Sequence, residues 1–325
     1  MRMISVATIL ITVFILTGCD SVHTSPPLTV LPHSHHMITA SSLSKDGQFN
    51  LISDNKSVCL WNNNQEKNPL YCLRDSQAQS IHLVDISENN QFFLISNRVS
   101  VCLYSLKNHQ RLGEWQFAGN IINDMDISAD GNKILLGFRS GQASIVNIKR
   151  NKIHTFTKHR LDINSVSLSD DGEKAFTGSS DKKAFVWNTN TGRNIHEFSH
   201  GSRVNHVNMS ADGRIGFTLD AIDDRIFWNL STGKELSELS TRLRFFEFND
   251  SVFSNDNSLL LTGSPKQVIK LWRVADGDLI AEWKSKKEKG RASVLSVAYA
   301  PEKKVVTINS DGLYEQWQLP NVQTQ

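Results

Sequence analysis

The chain has 325 residues, 39% apolar and 21% charged, an ordinary globular composition with enough length to bury a large core. Its formal net charge of +2 excludes bulk attraction to nucleic acid or another polyanion, so an electrostatic partner would have to be read by a local patch. Length alone suggests about two domains, although all-β folds of this size are often one.

In chain order, "MRMISVATILITVFILTGCD" places Arg2 ahead of an apolar run from Ile4 to Leu16, followed by Thr17, Gly18 and Cys19. The run is short for a bilayer span and has the shape of a secretory h-region. Its ending resembles the lipobox of bacterial lipoproteins, whose cysteine is acylated and becomes the mature N-terminus. That resemblance implies a signal peptide over 1–18, lipidation at Cys19 including palmitate, and a place in the bacterial cell envelope. Asp20 is the residue type that retains such lipoproteins at the inner membrane, so its periplasmic face is favoured over the outer membrane. Ordinary signal cleavage beside an incidental cysteine is the alternative. Residues 19–27 read as a tether with a reach of roughly 28 Å.

A turn of the form S-x-D/N-G/N then recurs at Ser44, Ser87, Ser128, Ser169, Ser210 and Ser254, with a degenerate "APEK" at Ala300, at intervals of 41 to 46 residues. Some 14 to 16 residues after each turn comes Trp61, Tyr104, Asn147, Trp187, Trp228, Trp272 or Trp317. Each unit contains an alternating segment such as "INSVSLS", two apolar and aromatic segments such as "KAFTGS" and "KAFVWN", and a fourth such as "IHEFSH". These read as four short strands joined by tight turns.

Seven such units predict an all-β fold, a seven-bladed β-propeller over 28–320 with a short tail at 321–325. The chain resembles the WD-repeat propeller family. The last unit stops after a third strand, and Leu28 to Leu31 align with a fourth. The N-terminal strand is therefore expected to close the last blade. Entering from the side of the serine turns, the anchor would attach on that face.

The WD resemblance implies a structural tetrad at His159, Thr177, Asp181 and Trp187. It assigns blade seven Thr307, Asp311 and Trp317, and blade five His200 and Trp228. A buried His, hydroxyl, Asp and indole satisfy one another and fasten the strands. Catalysis would instead need an exposed nucleophile, a base in reach and oxyanion donors, a pattern the sequence does not supply. One of His33, His35 and His36 is expected at a tetrad-histidine position, with no metal and no cofactor implied.

Cys59 and Cys72 face each other if their hairpin centres between Gln65 and Glu66, so they are a candidate disulfide. Cys102 occupies the place of Cys59 in the next unit, which leaves a buried free thiol as the alternative.

Loops expected on one face carry Arg98, Arg139, Arg160, Lys182, Lys183, Arg203, Arg225, Arg244 and Lys266. The serine turns of the other face carry Asp46, Glu88, Asp130, Asp170, Asp171, Asp212 and Asp256. The expected function is a non-enzymatic, monomeric interaction scaffold that binds envelope proteins through the basic face, with no nucleic acid involved. The alternatives are a binder of an anionic envelope polymer or glycan and, third, a propeller enzyme. The last would gather acids around the central channel, and no recurrent set is evident there.

Overall fold

The repeated serine turn folds each unit. At Ser44, Ser128, Ser169, Ser210 and Ser254 the hydroxyl donates to the carboxylate two residues on at 2.6–2.8 Å. The same Oγ accepts the N–H five residues on at 2.9–3.0 Å. The corner residue is left-handed, which is why Gly47, Gly131, Gly172 and Gly213, or Asn90 and Asn257, stand there. A two-bond lock of this kind reverses the chain and sets the register of the flanking strands.

The computed structural model describes residues 22–54, 56–64, 68–74, 80–241, 247–288 and 292–321. Its regular elements are strands, grouped in seven four-stranded antiparallel sheets. Blade four is typical: Ile163–Leu168 lies innermost, followed outward by Lys174–Ser179, Lys183–Asn188 and Asn194–Ser199. The inner strands of the seven sheets line a central cavity of about 550 Å³. Residues 301–303 replace the serine turn in blade seven without breaking the pattern.

Closure follows the expected route with a shift of one residue. Thr29–Pro32 pairs with Leu313–Gln318, Thr29 opposite Gln316 and Pro32 opposite Leu313. The first described strand is thus the fourth strand of the last blade, and the ring is locked without a covalent link.

The core lies between blades. Leu135, Ala143 and Ile145 of blade three meet Ile163, Val166, Phe185 and Trp187 of blade four. Trp187, Trp272, Trp283 and Trp317 are among the largest fully buried side chains, and apolar burial of this size dominates the stability. Close approach of neighbouring blades explains Gly178, where an added Cβ would lie 2.7 Å from Cγ1 of both Val204 and Val207.

Candidate functional site

In blade four His159 Nε2 lies 2.9 Å from Thr177 Oγ1, and Nδ1 lies 3.1 Å from each Asp181 oxygen. Burial holds the imidazole below its ordinary pKa of 6.5 against the pull of Asp181. Burial alone would raise the Asp181 carboxyl, but the Arg160 N–H and His159 outweigh it and keep it below 3.8. The consistent assignment is a neutral ring that donates from Nδ1 to a carboxylate and accepts the Thr177 hydroxyl at Nε2. Trp187 departs from the expected tetrad. Its Nε1 has no hydrogen-bond partner, and the ring packs under Lys158 Nζ at 4.8 Å and against Phe156.

Elsewhere the indole does join. Trp228 donates to Thr218 at 2.8 Å, Trp272 to Thr262 at 3.1 Å and Trp317 to Thr307 at 3.3 Å. In blade five His200 Nδ1 reaches Asp224 at 3.3 Å. In blade seven Glu315 replaces the histidine, accepting Thr307 Oγ1 at 3.2 Å and Ser285 Oγ at 2.5 Å. His33 is the buried member of the N-terminal cluster. It meets Asn50 rather than an aspartate and is stacked between Trp61 and Tyr314. Most of these polar groups bind one another and fasten the blades, with Trp187 Nε1, His200 Nε2 and Asn50 Oδ1 left without a hydrogen-bond partner among the described residues.

Because each blade is a meander, the loops from second to third strands and from fourth to first strands share one face. Arg98, Arg139, Arg160, Lys182, Arg203 and Lys266 are exposed there. Arg139 Nε donates to Asn123 Oδ1 at 3.1 Å, and Arg203 Nε to Asn205 Oδ1 at 3.2 Å, which fixes both guanidinium groups at the channel mouth. Lys183 ion-pairs with Glu197, and its Nζ lies 6.0 Å from the centre of the Phe185 ring. Arg225 is a correction: it is 5% exposed and faces Glu238 at 3.6 Å, so it supports blade five instead of meeting a partner. Arg244, Cys19 and Asp20 lie outside the described residues. Exposed Val99, Leu161 and Ile222 stand among these cations.

The channel holds the feature that sequence reasoning missed. Asp85 and Asp126 stand two residues before their turn serines, and Asp124 and Asp250 four before. All four line the cavity. Three reach across to the next blade, Asp124 accepting Val166 N at 2.8 Å, Asp126 Leu168 N at 2.6 Å and Asp250 Val297 N at 2.8 Å. Ser165 and Ser167 do the same for Val207 and Met209. The recurrent set around the channel therefore exists. Its carboxylates are committed to backbone N–H groups, and no cluster with metal-holding geometry occurs among the described residues. Burial raises Asp124 to about 6, and Asp126 and Asp250 to about 7. Asp85 is also raised, by burial and then by Asp126.

The two mouths of the channel differ. On the basic side, Asn123, Asn164 and Asn249 each donate to a carbonyl of the following blade, at 2.9, 2.8 and 2.7 Å. On the other side Lys45 bridges Glu88 at 2.5 Å and Asp170 at 3.5 Å. Backbone bonds from Asn89 to Ala129 to Asp170 to Ala211 narrow that end. The turn acids thus hold turns and ring together.

Cys59 and Cys72 stand opposite each other and are bonded, with Cα atoms 4.1 Å apart. Cys102 is a free, half-buried thiol whose pKa burial pushes up.

The tether reading needs correction. His23 N donates to Ile280 O at 3.1 Å, Glu282 N donates to His23 O at 2.9 Å, and Trp283 Nε1 donates to Ser25 Oγ at 3.2 Å. The segment from His23 onward is therefore docked along the outer strand of blade six, and it runs parallel to that strand, from the serine-turn side, instead of spanning freely to the closing strand. Among the described residues no helix is long and apolar enough to cross a membrane.

The fastenings of this seven-bladed propeller are similar to those of WD repeats. The WD domain, G-beta repeat family matches residues 150–188, which span blade four's first three strands and all of His159, Thr177, Asp181 and Trp187. No curated protein matches the chain.

Proposed function

We propose that this protein is a membrane-anchored lipoprotein of the bacterial envelope, acylated at Cys19 and retained at the inner membrane by Asp20. Its propeller serves as a periplasmic scaffold that binds an acidic protein surface. The observation that carries this reading is the basic face, where Arg98, Arg139, Arg160, Lys182, Arg203 and Lys266 are exposed in loops of one side. Arginine fixed by a neighbouring amide is suited to bidentate capture of carboxylates. Aliphatic side chains among the cations give such a face the mixed character of a protein interface.

The test is capture from detergent-solubilised membranes with wild-type protein and with Arg98→Glu, Arg139→Glu and Arg203→Glu combined. A stoichiometric protein partner, identified by mass spectrometry and lost in the variant, is expected. Capture unchanged by charge reversal would overturn the reading, and recovery of an anionic polymer in place of protein would transfer the face to that ligand.

A further inference from the structure

The N-terminal segment is fastened to two blades before it completes the ring. His23 forms a parallel bridge with Ala281, and Ser25 is held by Trp283. Leu28 N then donates to Gln316 O at 2.7 Å, and Thr29–Pro32 enters blade seven. The contacts all fall on the fourth strand of blade six and the third strand of blade seven, at the outer circumference. Only four Cα-to-Cα steps separate Cys19 from His23, a span of at most about 14 Å.

We infer that the outer rim where blades six and seven meet is the surface that faces the lipid bilayer, with the propeller standing on edge. The inference rests on the acylation of Cys19. Given that anchor, so short a leash holds this rim within about 14 Å of the acylated residue. The strap is itself suited to an interfacial position, because Val22, Leu28 and Leu31 on it are 39%, 54% and 38% exposed. Lys284, at the end of the strand that carries the bridge, is exposed beside them and matches an anionic headgroup layer. On edge, the ring leaves both loop faces clear of the membrane, so a partner reaches the basic face without competing with lipid.

The experiment uses the acylated full-length protein in a Cys102→Ala background, reconstituted into phosphatidylethanolamine and phosphatidylglycerol vesicles bearing a headgroup acceptor dye. Single donor dyes are placed by Leu28→Cys on the rim, Ser140→Cys on the basic face, Lys149→Cys on the serine-turn face and Ile153→Cys on the rim of blade three. Energy transfer is expected to be strongest at 28 and weak at 140, 149 and 153, which all lie on blade three across the ring, with 140 and 149 similar to each other. A flexible Gly/Ser insertion of about ten residues after Asp20 is expected to abolish that gradient. Strongest transfer at 140 or 149, or equal transfer at 28 and 153, would show a face lying on the membrane and overturn the inference alone. Failure of the acylated wild type to float with vesicles would overturn the lipoprotein reading and the inference with it.

Discussion

Thr177→Val isolates the fastening of blade four. Valine has nearly the shape of threonine, so no cavity opens, and the change removes only the hydroxyl that meets His159 Nε2 at 2.9 Å. Both residues are buried, Thr177 at 0% and His159 at 3% exposure, so water does not replace the lost partner. Leaving one buried ring nitrogen unsatisfied costs about 1–3 kcal/mol. Trp187 adds nothing to that figure, because its Nε1 does not reach Thr177. The assay is a urea unfolding midpoint at pH 8, measured for Thr177→Val, His159→Phe and the double variant. In the His159→Phe background the same Thr177→Val change is expected to cost less than about 0.5 kcal/mol, because there is no imidazole left to strand. A Thr177→Val cost that is undiminished in that background, or that is absent in the wild type, would show that the His159–Thr177 bond does not fasten the blade.

The channel acids give a pH prediction whose sign follows from their raised values. Asp126 titrates near 7 in the folded chain against 3.8 when unfolded, so the unfolded chain releases that proton first and stability falls as pH rises from 4 to 7. Asp126→Asn should reduce the slope of thermal stability across this window, to which Asp124 and Asp250 also contribute, and add about 1–3 kcal/mol above pH 7, with little change below pH 4. His206, held near 4 by burial against 6.5 unfolded, acts oppositely, so His206→Gln should reduce the loss of stability as pH falls from 6.5 to 4. Scanning calorimetry across the pH range checks both. Reducing the disulfide, whose cysteines are 13 residues apart, should lower stability by about 3 kcal/mol, whereas Cys102→Ala should leave the reduction effect intact. Denaturation with and without reductant is the measurement.

The ring was legible because its signals are local and periodic. The serine turns, the aromatic positions and the alternating inner strands each follow from a few adjacent residues, and repetition fixed the number of blades. The hairpin register likewise placed Cys59 opposite Cys72. What escaped depends on neighbours in space. Asp85, Asp124, Asp126 and Asp250 recur at two offsets before the turn, but only where the inner strands of adjacent blades converge do Asp124, Asp126 and Asp250 meet backbone N–H groups of the next blade. Arg225 reads as a loop cation until the longer turn at 221–224 places it inside blade five. The tether reads as free polar chain because nothing in "SVHTSPP" shows that Ala281 and Trp283 will lie beside it.

The basic face is the central claim, and it is tested most directly by placing equal charge changes on opposite faces. With the captured partner purified, its affinity is measured for wild type, for Arg98→Glu, Arg139→Glu and Arg203→Glu combined, and for Lys107→Glu, Lys149→Glu and Arg150→Glu combined. The latter three are exposed cations on the serine-turn side. The first set is expected to abolish binding, and the second, of the same net charge, to leave it close to wild type. Equal loss in both sets, or loss only in the second, would contradict binding at the basic face.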